Sequence, residues 1–277
     1  MSAASYDAGP RPNKFRTAHH PKRRRFADML AHMARAALVV IGNEILSGKI
    51  VDTNTPFLIG ELRGLGVALR EIVVVPDEVD RIAEALRRVS PRNDHVFTSG
   101  GVGPTHDDVT MEGIAAAFSV QVVRHPRLEA LLRGYYELQK LPLCEANLRM
   151  ADVPQGADLL EGPDLRWPVV RMQNIYILPG IPEIFRRKFL AIAETFRDTP
   201  FVLRKIYVRS EEGMIADDLS AIAALFPDVA IGSYPRMQPD EDGHRVLLTL
   251  EGKEPSRVQS AADQLVSRIA SHVLRCI

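Results

Sequence analysis

A glycine-rich stretch between an apolar run and a helical pattern constrains the fold of this chain most strongly. Residues 98–110 read TSGGVGPTHDDVT, follow Val96-Phe97 and precede a helical pattern that starts near Met111. Clustered glycines let a backbone turn several N–H groups toward one point, which suits a bound phosphate. The following helix would add the positive end of its dipole and its unpaired N–H groups. The stretch therefore predicts a strand, an anion-binding loop and a helix in immediate succession.

Two adjacent carboxylates, those of Asp107 and Asp108, follow the glycines. Mg²⁺ is commonly held by one or two carboxylates together with phosphate oxygens, so the doublet predicts a metal site beside the anion-binding loop. Each feature also has a purely structural interpretation, because a Gly-Gly pair is usually a turn and an Asp before a helix is usually its cap. Their combination favours a site for a phosphorylated ligand.

Two better-known phosphate loops do not fit the sequence. The segment from Gly42 to Gly48-Lys49 has one residue too many for a P-loop, and Ile50 stands where Ser or Thr is required. Gly101-Val102-Gly103 lacks the third glycine of a dinucleotide fingerprint. Both interpretations are rejected.

Short apolar runs alternate with helical patterns over residues 36–198. Residues 36–42 and 175–178 are continuously apolar, as expected of strands buried on both faces, and further strands are predicted at 67–75 and 95–98. One predicted helix begins at Pro56, with Thr55 as its cap and Leu58, Leu62 and Leu65 on its inner face, and another runs through Val79, Ile82, Leu86 and Val89. A further helix is predicted over 126–139, with Leu128, Leu131, Tyr135 and Leu138 at helical spacing. The last of this part begins at Pro182 and places Phe185, Phe189, Ile192 and Phe196 on one face. Residues 141–174 read as irregular. This is an α/β pattern, in which ligands bind beyond the carboxyl ends of the strands.

A break near Asp198-Thr199-Pro200 opens a second unit. The spacing predicts strands at 201–208, 229–234 and 245–250 and helices at 213–226 and 255–274, the last with Val273 on its apolar face. No catalytic cluster is visible there, and Gly232–Pro235 reads either as a turn or as a segment that reaches the site. We therefore divide the chain into a basic extension (1–35), a first domain (36–198) and a small α/β domain (199–277).

Basic charge is concentrated at the start of the chain. The net charge of the whole chain is +0, but residues 1–35 are strongly basic, so the remainder is mildly acidic. Residues with a mildly acidic balance do not predict the basic surface that binds duplex nucleic acid. The extension lacks the apolar core of a signal peptide. It reads as a disordered tail, as an over-long start ahead of Met29 or Met33, or as an organellar presequence.

Cysteine usage and hydropathy indicate a cytoplasmic protein. Cys144 and Cys276 are too few for a disulfide framework or a zinc cluster, which fits a reducing compartment. No apolar run approaches the roughly 18 residues of a membrane helix, so no membrane partner is expected. A homo-oligomer is left open.

Four motifs occur together in a characteristic order: GNEILSG at 42–48, DTN at 52–54, SGGVGPTHDD at 99–108 and LPGIPE at 178–183. With them the chain resembles the MoaB/Mog-like (molybdopterin-binding, MoCF) domain family, in particular the N-terminal part of CinA-type proteins. It is closer still to the molybdopterin-binding-like domain that precedes the synthase domain of eukaryotic FAD synthases. The resemblance runs from about Ala36 to the end. It implies a three-layer α/β/α domain with a mostly parallel sheet, followed by a small α/β domain.

The resemblance implies two competing activities. CinA-type and FAD-synthase-type domains are linked to metal-dependent hydrolysis of nucleotide pyrophosphates such as ADP-ribose and FAD, whereas Mog-type domains bind molybdopterin and adenylylate it. A third alternative is a non-catalytic binding protein whose second domain is a partner surface. Since neither a deamidase nor a synthase domain follows, NMN deamidation and FAD synthesis are not expected. The segment Leu165–Pro168 lacks the glycine-rich form common in bacterial CinA proteins.

We predict a nucleotide pyrophosphatase that depends on Mg²⁺, Mn²⁺ or Co²⁺ and acts on FAD or ADP-ribose. Asp107 and Asp108 are expected to hold the metal, with Glu44 as a further ligand, as a base that orients water, or only as a bond to the backbone after its strand. Trp167 is either a stacking platform for a flat ring or a loop anchor. The predicted ligand-binding residues are Gly42, Asn43, Asp52, Asn54, Ser99, Gly100, Gly101, Gly103, Pro104, Thr105, Pro179 and Gly180.

Overall fold

The computed structural model describes residues 33–162 and 165–277. The predicted disordered extension therefore lies, apart from its last residues, outside the described part of the chain. From Arg35 to Ile192 the elements are β1 (Arg35–Ile41), α1 (Asn43–Leu46), α2 (Asn54–Gly64), β2 (Ala68–Val75), α3 (Val79–Val89), β3 (His95–Ser99), α4 (Thr110–Phe118), β4 (Val122–Arg124), α5 (Pro126–Gln139), α6 (Glu145–Leu148), β5 (Asp152–Pro154), β6 (Asp158–Leu160), β7 (Val169–Met172), β8 (Ile175–Leu178) and α7 (Pro182–Ile192).

One six-stranded sheet organises this part, in the order β2-β1-β3-β8-β7-β6. Strands β2, β1, β3 and β8 run parallel, whereas β7 and β6 pair antiparallel at one edge. Successive residues of β1 alternate between two cores. Ala37, Val39 and Ile41 pack with α3, α4 and α5, while Ala36, Leu38 and Val40 pack with α2 and α7. Helices thus cover both faces, which confirms the predicted three-layer α/β/α fold with a mostly parallel sheet.

The remaining residues form a second, smaller sheet with helices on one face. Its elements are β9 (Val202–Val208), α8 (Ala216–Leu225), β10 (Ala230–Pro235), β11 (Val246–Gly252), α9 (Pro255–Arg268) and β12 (Val273–Cys276). The strand order is β10-β11-β9-β12, with every pair antiparallel. Alternate residues of β11 are buried against α8 and α9, as expected of a sheet with one covered face.

Lys253, in the turn before α9, connects the two sheets. Its ammonium group donates to Asp198 Oδ2 at 3.2 Å and to the backbone carbonyls of Gly66 and Thr199. Gly66 has a φ of 79°, and a Cβ there would collide with the Thr199 carbonyl. The close approach of these two loops therefore requires glycine.

Two predicted helix boundaries were wrong. Helix α2 begins at Asn54 rather than Pro56, because the Asp52 carboxylate accepts the N–H groups of Asn54 at 2.9 Å and Thr55 at 3.0 Å. The last helix ends at Arg268, and Val273 opens β12, which pairs with β9. Pairing with an existing strand outweighed the helical spacing of the apolar residues.

Two segments also differ from the sequence-based description. The predicted apolar face of α5 is only partly buried, because Leu128 is covered while Tyr135 and Leu138 are 50% and 78% exposed. Residues 141–174 are not irregular throughout, since they contain α6, β5, β6 and β7. Within the described residues, no helix combines the length and the apolar character needed to cross a bilayer.

Candidate functional site

The loops that follow the parallel strands meet at one edge of the large sheet. The Gly42 N–H, after β1, donates to Val75 O at the end of β2 at 3.2 Å. The Gly100 N–H, after β3, donates to Leu178 O at the end of β8, also at 3.2 Å. The predicted motifs are therefore brought together, as the rule for carboxyl ends of parallel strands requires.

Two residues of the glycine loop have a backbone conformation and close contacts that favour glycine. Gly100 has a φ of 110°, and a Cβ there would collide with the carbonyl oxygen of Ile41. Gly101 has a φ of 63°, and a Cβ there would collide with Thr110 Oγ1. Thr110 ties the loop to the start of α4, because its N–H donates to Gly101 O at 3.0 Å and its hydroxyl to Gly100 O at 2.9 Å. The loop is thereby held rigidly at the sheet edge.

Asn54 connects three of the converging segments. It is 4% exposed, and its Nδ2 donates to Ser99 Oγ at 3.0 Å and to Gly180 O at 2.9 Å. Its Oδ1 is buried without a hydrogen-bond partner among the described residues. The side chain therefore couples the start of α2 to the end of β3 and to the loop after β8.

The carboxylates beside the glycine loop are partly engaged already. Asp108 Oδ2 accepts the Thr105 N–H at 2.8 Å and also the Thr105 hydroxyl. The nearby Thr105 side chain and the N–H of Asp107 hold the pKa of the exposed Asp107 carboxyl below its ordinary value. Asp107 is therefore an anion at neutral pH.

Glu44 lies over the loop after β1. Its carboxylate folds back over Gly42, where an added Cβ would lie 2.5 Å from Glu44 Oε1. In the described chain, no group of three or more His, Cys, Asp and Glu side chains is close enough to hold a metal ion. Two carboxylates with phosphate oxygens are nevertheless a donor set that suits Mg²⁺.

A cavity of about 680 Å³ opens beside the glycine loop. Gly100–Gly103 and Asp108 line it at the loop, with Pro179 and Gly180 facing them after β8. Much of the remaining lining is apolar or cationic and comes from Met111, Met150, Leu165, Arg166, Trp167, Val170, Ile177, Ile181, Ile184, Arg187 and Lys188. One cavity thus combines an anion-binding loop with a largely apolar wall.

A smaller cavity of about 90 Å³ adjoins it and is lined by Glu44, Asp52, Asn54, Ser99 and Gly180 among others. Between them the two cavities contain eleven of the predicted site residues: Glu44, Asp52, Asn54, Ser99, Gly100, Gly101, Gly103, Pro104, Asp108, Pro179 and Gly180. Gly42, Asn43, Thr105 and Asp107 do not line either of these two cavities. Asn43 instead donates its N–H to Asp77 Oδ2 at 2.7 Å.

Sequence reasoning missed most of the cavity wall. Met111, Met150 and Ile184 are ordinary apolar residues without a local signal for ligand contact. Lys188 did carry a signal, because it lies three residues after Phe185 and four before Ile192, on the apolar face of α7. A lysine at such a position is unusual, since charged side chains are rarely buried without a partner.

Comparison with known families assigns both parts of the chain. Residues 37–198 match a family described as "Probable molybdopterin binding domain", and residues 200–275 match one described as "FAD synthase, middle domain". A solved structure of the protein CinA from Thermoplasma acidophilum is 29% identical, with a TM-score of 0.54, and covers 60% of this chain and 99% of its own.

Several curated relatives are similar over most of the chain. A protein of Archaeoglobus fulgidus is 34% identical over 82% of this chain and 94% of the relative. A "Probable FAD synthase" of Caenorhabditis elegans is 31% identical over 94% of this chain but 53% of the relative, so the chain spans about half of that enzyme's length. A "CinA-like protein" of Gloeobacter violaceus is 36% identical over 58% of this chain and 39% of the relative.

Proposed function

The chain belongs to the probable molybdopterin binding domain family, and from this membership we propose that its cleft binds a nucleotide pyrophosphate and hydrolyses it with a divalent metal ion. FAD and ADP-ribose are the candidate substrates. The observation that carries the proposal is the single cavity that contains both the glycine loop with Asp108 and a wall that includes Trp167. Such a cavity suits a ligand with phosphates at one end and a flat ring at the other.

The phosphates would bind the glycine loop. The backbone N–H groups of Gly101 and Gly103 and the dipole of α4 favour negative charge there. The Gly100 N–H is already donated to Leu178 O, so its part is to shape the loop rather than to bind the ligand. The Caenorhabditis elegans relative named "Probable FAD synthase" supports a flavin nucleotide as the ligand.

The donor set fits a hard divalent ion that ligand phosphates complete. Asp108 keeps Oδ1 outside its bonds with Thr105, and Asp107 is an exposed anion. Asp107 and Asp108 would hold Mg²⁺, Mn²⁺ or Co²⁺ together with ligand phosphates, and Glu44 would orient the attacking water. When bound, the ion would neutralise charge on the reacting phosphoryl group and lower the pKa of a coordinated water.

The proposed reaction is attack of water on the adenylyl phosphorus. The water oxygen forms a bond to phosphorus, the bridging P–O bond breaks, and the water proton passes to the Glu44 carboxylate. FAD would yield AMP and FMN, and ADP-ribose would yield AMP and ribose 5-phosphate.

A second candidate is binding or adenylylation of molybdopterin, which the description of the family favours. An adenylyltransferase must hold ATP and a pterin together, so it would release pyrophosphate only when both are present. A third candidate is a non-catalytic protein that binds a partner through the small domain, and it would show neither reaction.

The deciding experiment is a product screen with purified protein. FAD and ADP-ribose are each incubated with Mg²⁺, Mn²⁺ or Co²⁺, and AMP is measured. We expect AMP from at least one pair and none in excess EDTA. Asp107→Asn and Asp108→Asn keep the shape but remove a charge, so each should lower turnover at least about tenfold, or roughly 1.4 kcal/mol.

Asp217→Asn, an exposed acid on α8, is the matched control and should leave turnover unchanged. Activity that survives EDTA would refute the metal-dependent mechanism. Absence of AMP with every metal, together with tight molybdopterin binding, would replace the hydrolase by the second candidate.

A further inference from the structure

Lys188 is a buried lysine in the wall of the ligand cavity. It is 8% exposed and lies on the face of α7 that packs toward the sheet. Its Nζ donates to Trp167 O at 3.1 Å and to Pro168 O at 2.6 Å. The side chain thus connects α7 with the segment that enters β7.

Burial of this ammonium group is costly. A charged group removed from water loses its hydration, and burial together with the neighbouring charge of Arg187 lowers the pKa of Lys188 to about 8. The recorded hydrogen-bond partners of its Nζ among the described residues are backbone carbonyls, not carboxylates. A methionine would fill a similar volume without this cost, so any favourable contribution of the ammonium group lies in the hydrogen bonds that it donates.

The two carbonyl groups need such a donor. Val169 is the first residue of β7, so Trp167 and Pro168 precede the ladder that β7 forms with β6 and β8. A buried carbonyl without a donor is destabilising, and two of them in an apolar wall would favour another conformation of the segment. Lysine has three N–H donors on one atom and can satisfy both carbonyls from α7.

The bonded segment carries the only tryptophan of the chain. Trp167 packs against the core beneath α3, α4 and α5 and also lines the ligand cavity. We propose that Lys188 is a positioning residue that fixes the carbonyls of Trp167 and Pro168 and thereby holds the Trp167 ring in the cavity wall, where it stacks on the flat ring of the ligand. The stacking half of this proposal rests on the proposed function, whereas the positioning half does not.

Tryptophan emission tests the positioning half in the protein without ligand. Lys188→Met removes the donors and keeps the length, Lys188→Arg keeps donors, and Arg186→Met is the matched control. Arg186 is an exposed cation of the same helix that lies over Phe57 rather than in the cavity. We expect Lys188→Met to shift the emission to longer wavelength and to raise acrylamide quenching at least about twofold, and Lys188→Arg and Arg186→Met to resemble wild type.

Binding without metal tests the stacking half. FAD and inorganic pyrophosphate are titrated in EDTA, and only FAD has a ring. Lys188→Met should raise the Kd for FAD about tenfold and leave the Kd for pyrophosphate unchanged, because the glycine loop is intact. If wild type binds neither ligand, the proposed function fails, while the emission result still decides the positioning.

Unchanged emission and quenching in a folded Lys188→Met protein would overturn the proposal. So would an equal loss of affinity for FAD and pyrophosphate, which would indicate general damage to the site. Should Lys188→Met not fold, Lys188→Leu also removes the donors, on a shorter apolar side chain, and is measured in the same way. An emission identical to wild type in that variant would likewise refute the positioning role.

Discussion

Replacement of Gly100 by alanine should strongly destabilise the first domain. A φ of 110° is a backbone conformation that only glycine adopts readily, and the strain for alanine is of order 1–3 kcal/mol. The added Cβ would also collide with the Ile41 carbonyl oxygen, which belongs to the inner strand β1 and can give way only by a backbone shift of similar cost, about 1–3 kcal/mol. Alanine also lowers the conformational entropy of the unfolded chain, which offsets about 0.4–1 kcal/mol of this loss in stability. We therefore expect a loss of about 1–6 kcal/mol.

Gly134→Ala is the matched control for Gly100→Ala. Gly134 lies within α5, and a Cβ there would meet no atom within 4 Å. Alanine is the better helix former, so this variant should gain about 0.5–1 kcal/mol. Urea unfolding followed by the emission of Trp167 reports on the first domain, and far-UV circular dichroism follows both domains.

A free energy of unfolding for Gly100→Ala within about 0.5 kcal/mol of wild type, the range of ordinary surface substitutions, would refute the reasoning. It would mean that the loop can relax away from Ile41, and the rigid anion-binding loop would then have no structural basis.

Three further predictions concern the described contacts. Asn54→Ala should lower the free energy of unfolding by about 1–3 kcal/mol through its bonds to Ser99 and Gly180, as measured by urea unfolding. Lys253→Met should cost about 1–3 kcal/mol and speed hydrogen exchange of the Gly66 loop, and unchanged exchange would contradict the coupling. Burial lowers the pKa of His95, so only the unfolded state gains its proton as pH falls through 6.5. The free energy of unfolding should therefore drop below pH 6.5, and this drop should be smaller in His95→Phe than in wild type. If the urea midpoints of wild type and His95→Phe change in parallel with pH, the prediction is wrong.

The hydropathy pattern alone determined the core of the large sheet. A strand formed from a continuous apolar run has no polar face, so β1 was expected to be buried on both faces. Its residues do alternate between two cores. The 3-4 spacing on α3 and α7 likewise identified the buried faces of those helices. Both signals come from residues close in the chain, and packing reinforced them.

The order of the motifs also predicted the sheet edge at which the candidate site lies. Gly42, Gly100 and Gly180 each follow a buried strand, and carboxyl ends of parallel strands meet at one edge. Which side chains face the cavity did not follow from this. Asn43, Thr105 and Asp107 stand in the motifs, yet they do not line either cavity described above.

Tertiary contacts decided the rest. Val273 continues the apolar spacing of α9, but β9 offered an unpaired edge, and the hydrogen bonds of a new strand pair outweighed helix propensity. Tyr135 and Leu138 have helical spacing, yet α5 extends beyond the core that buries Leu128. The wall formed by Met111, Met150, Trp167 and Lys188 draws on segments far apart in the chain. Helical and strand periods are properties of neighbouring residues, whereas a cavity exists only between segments that folding brings together, so only the tertiary structure could assign it.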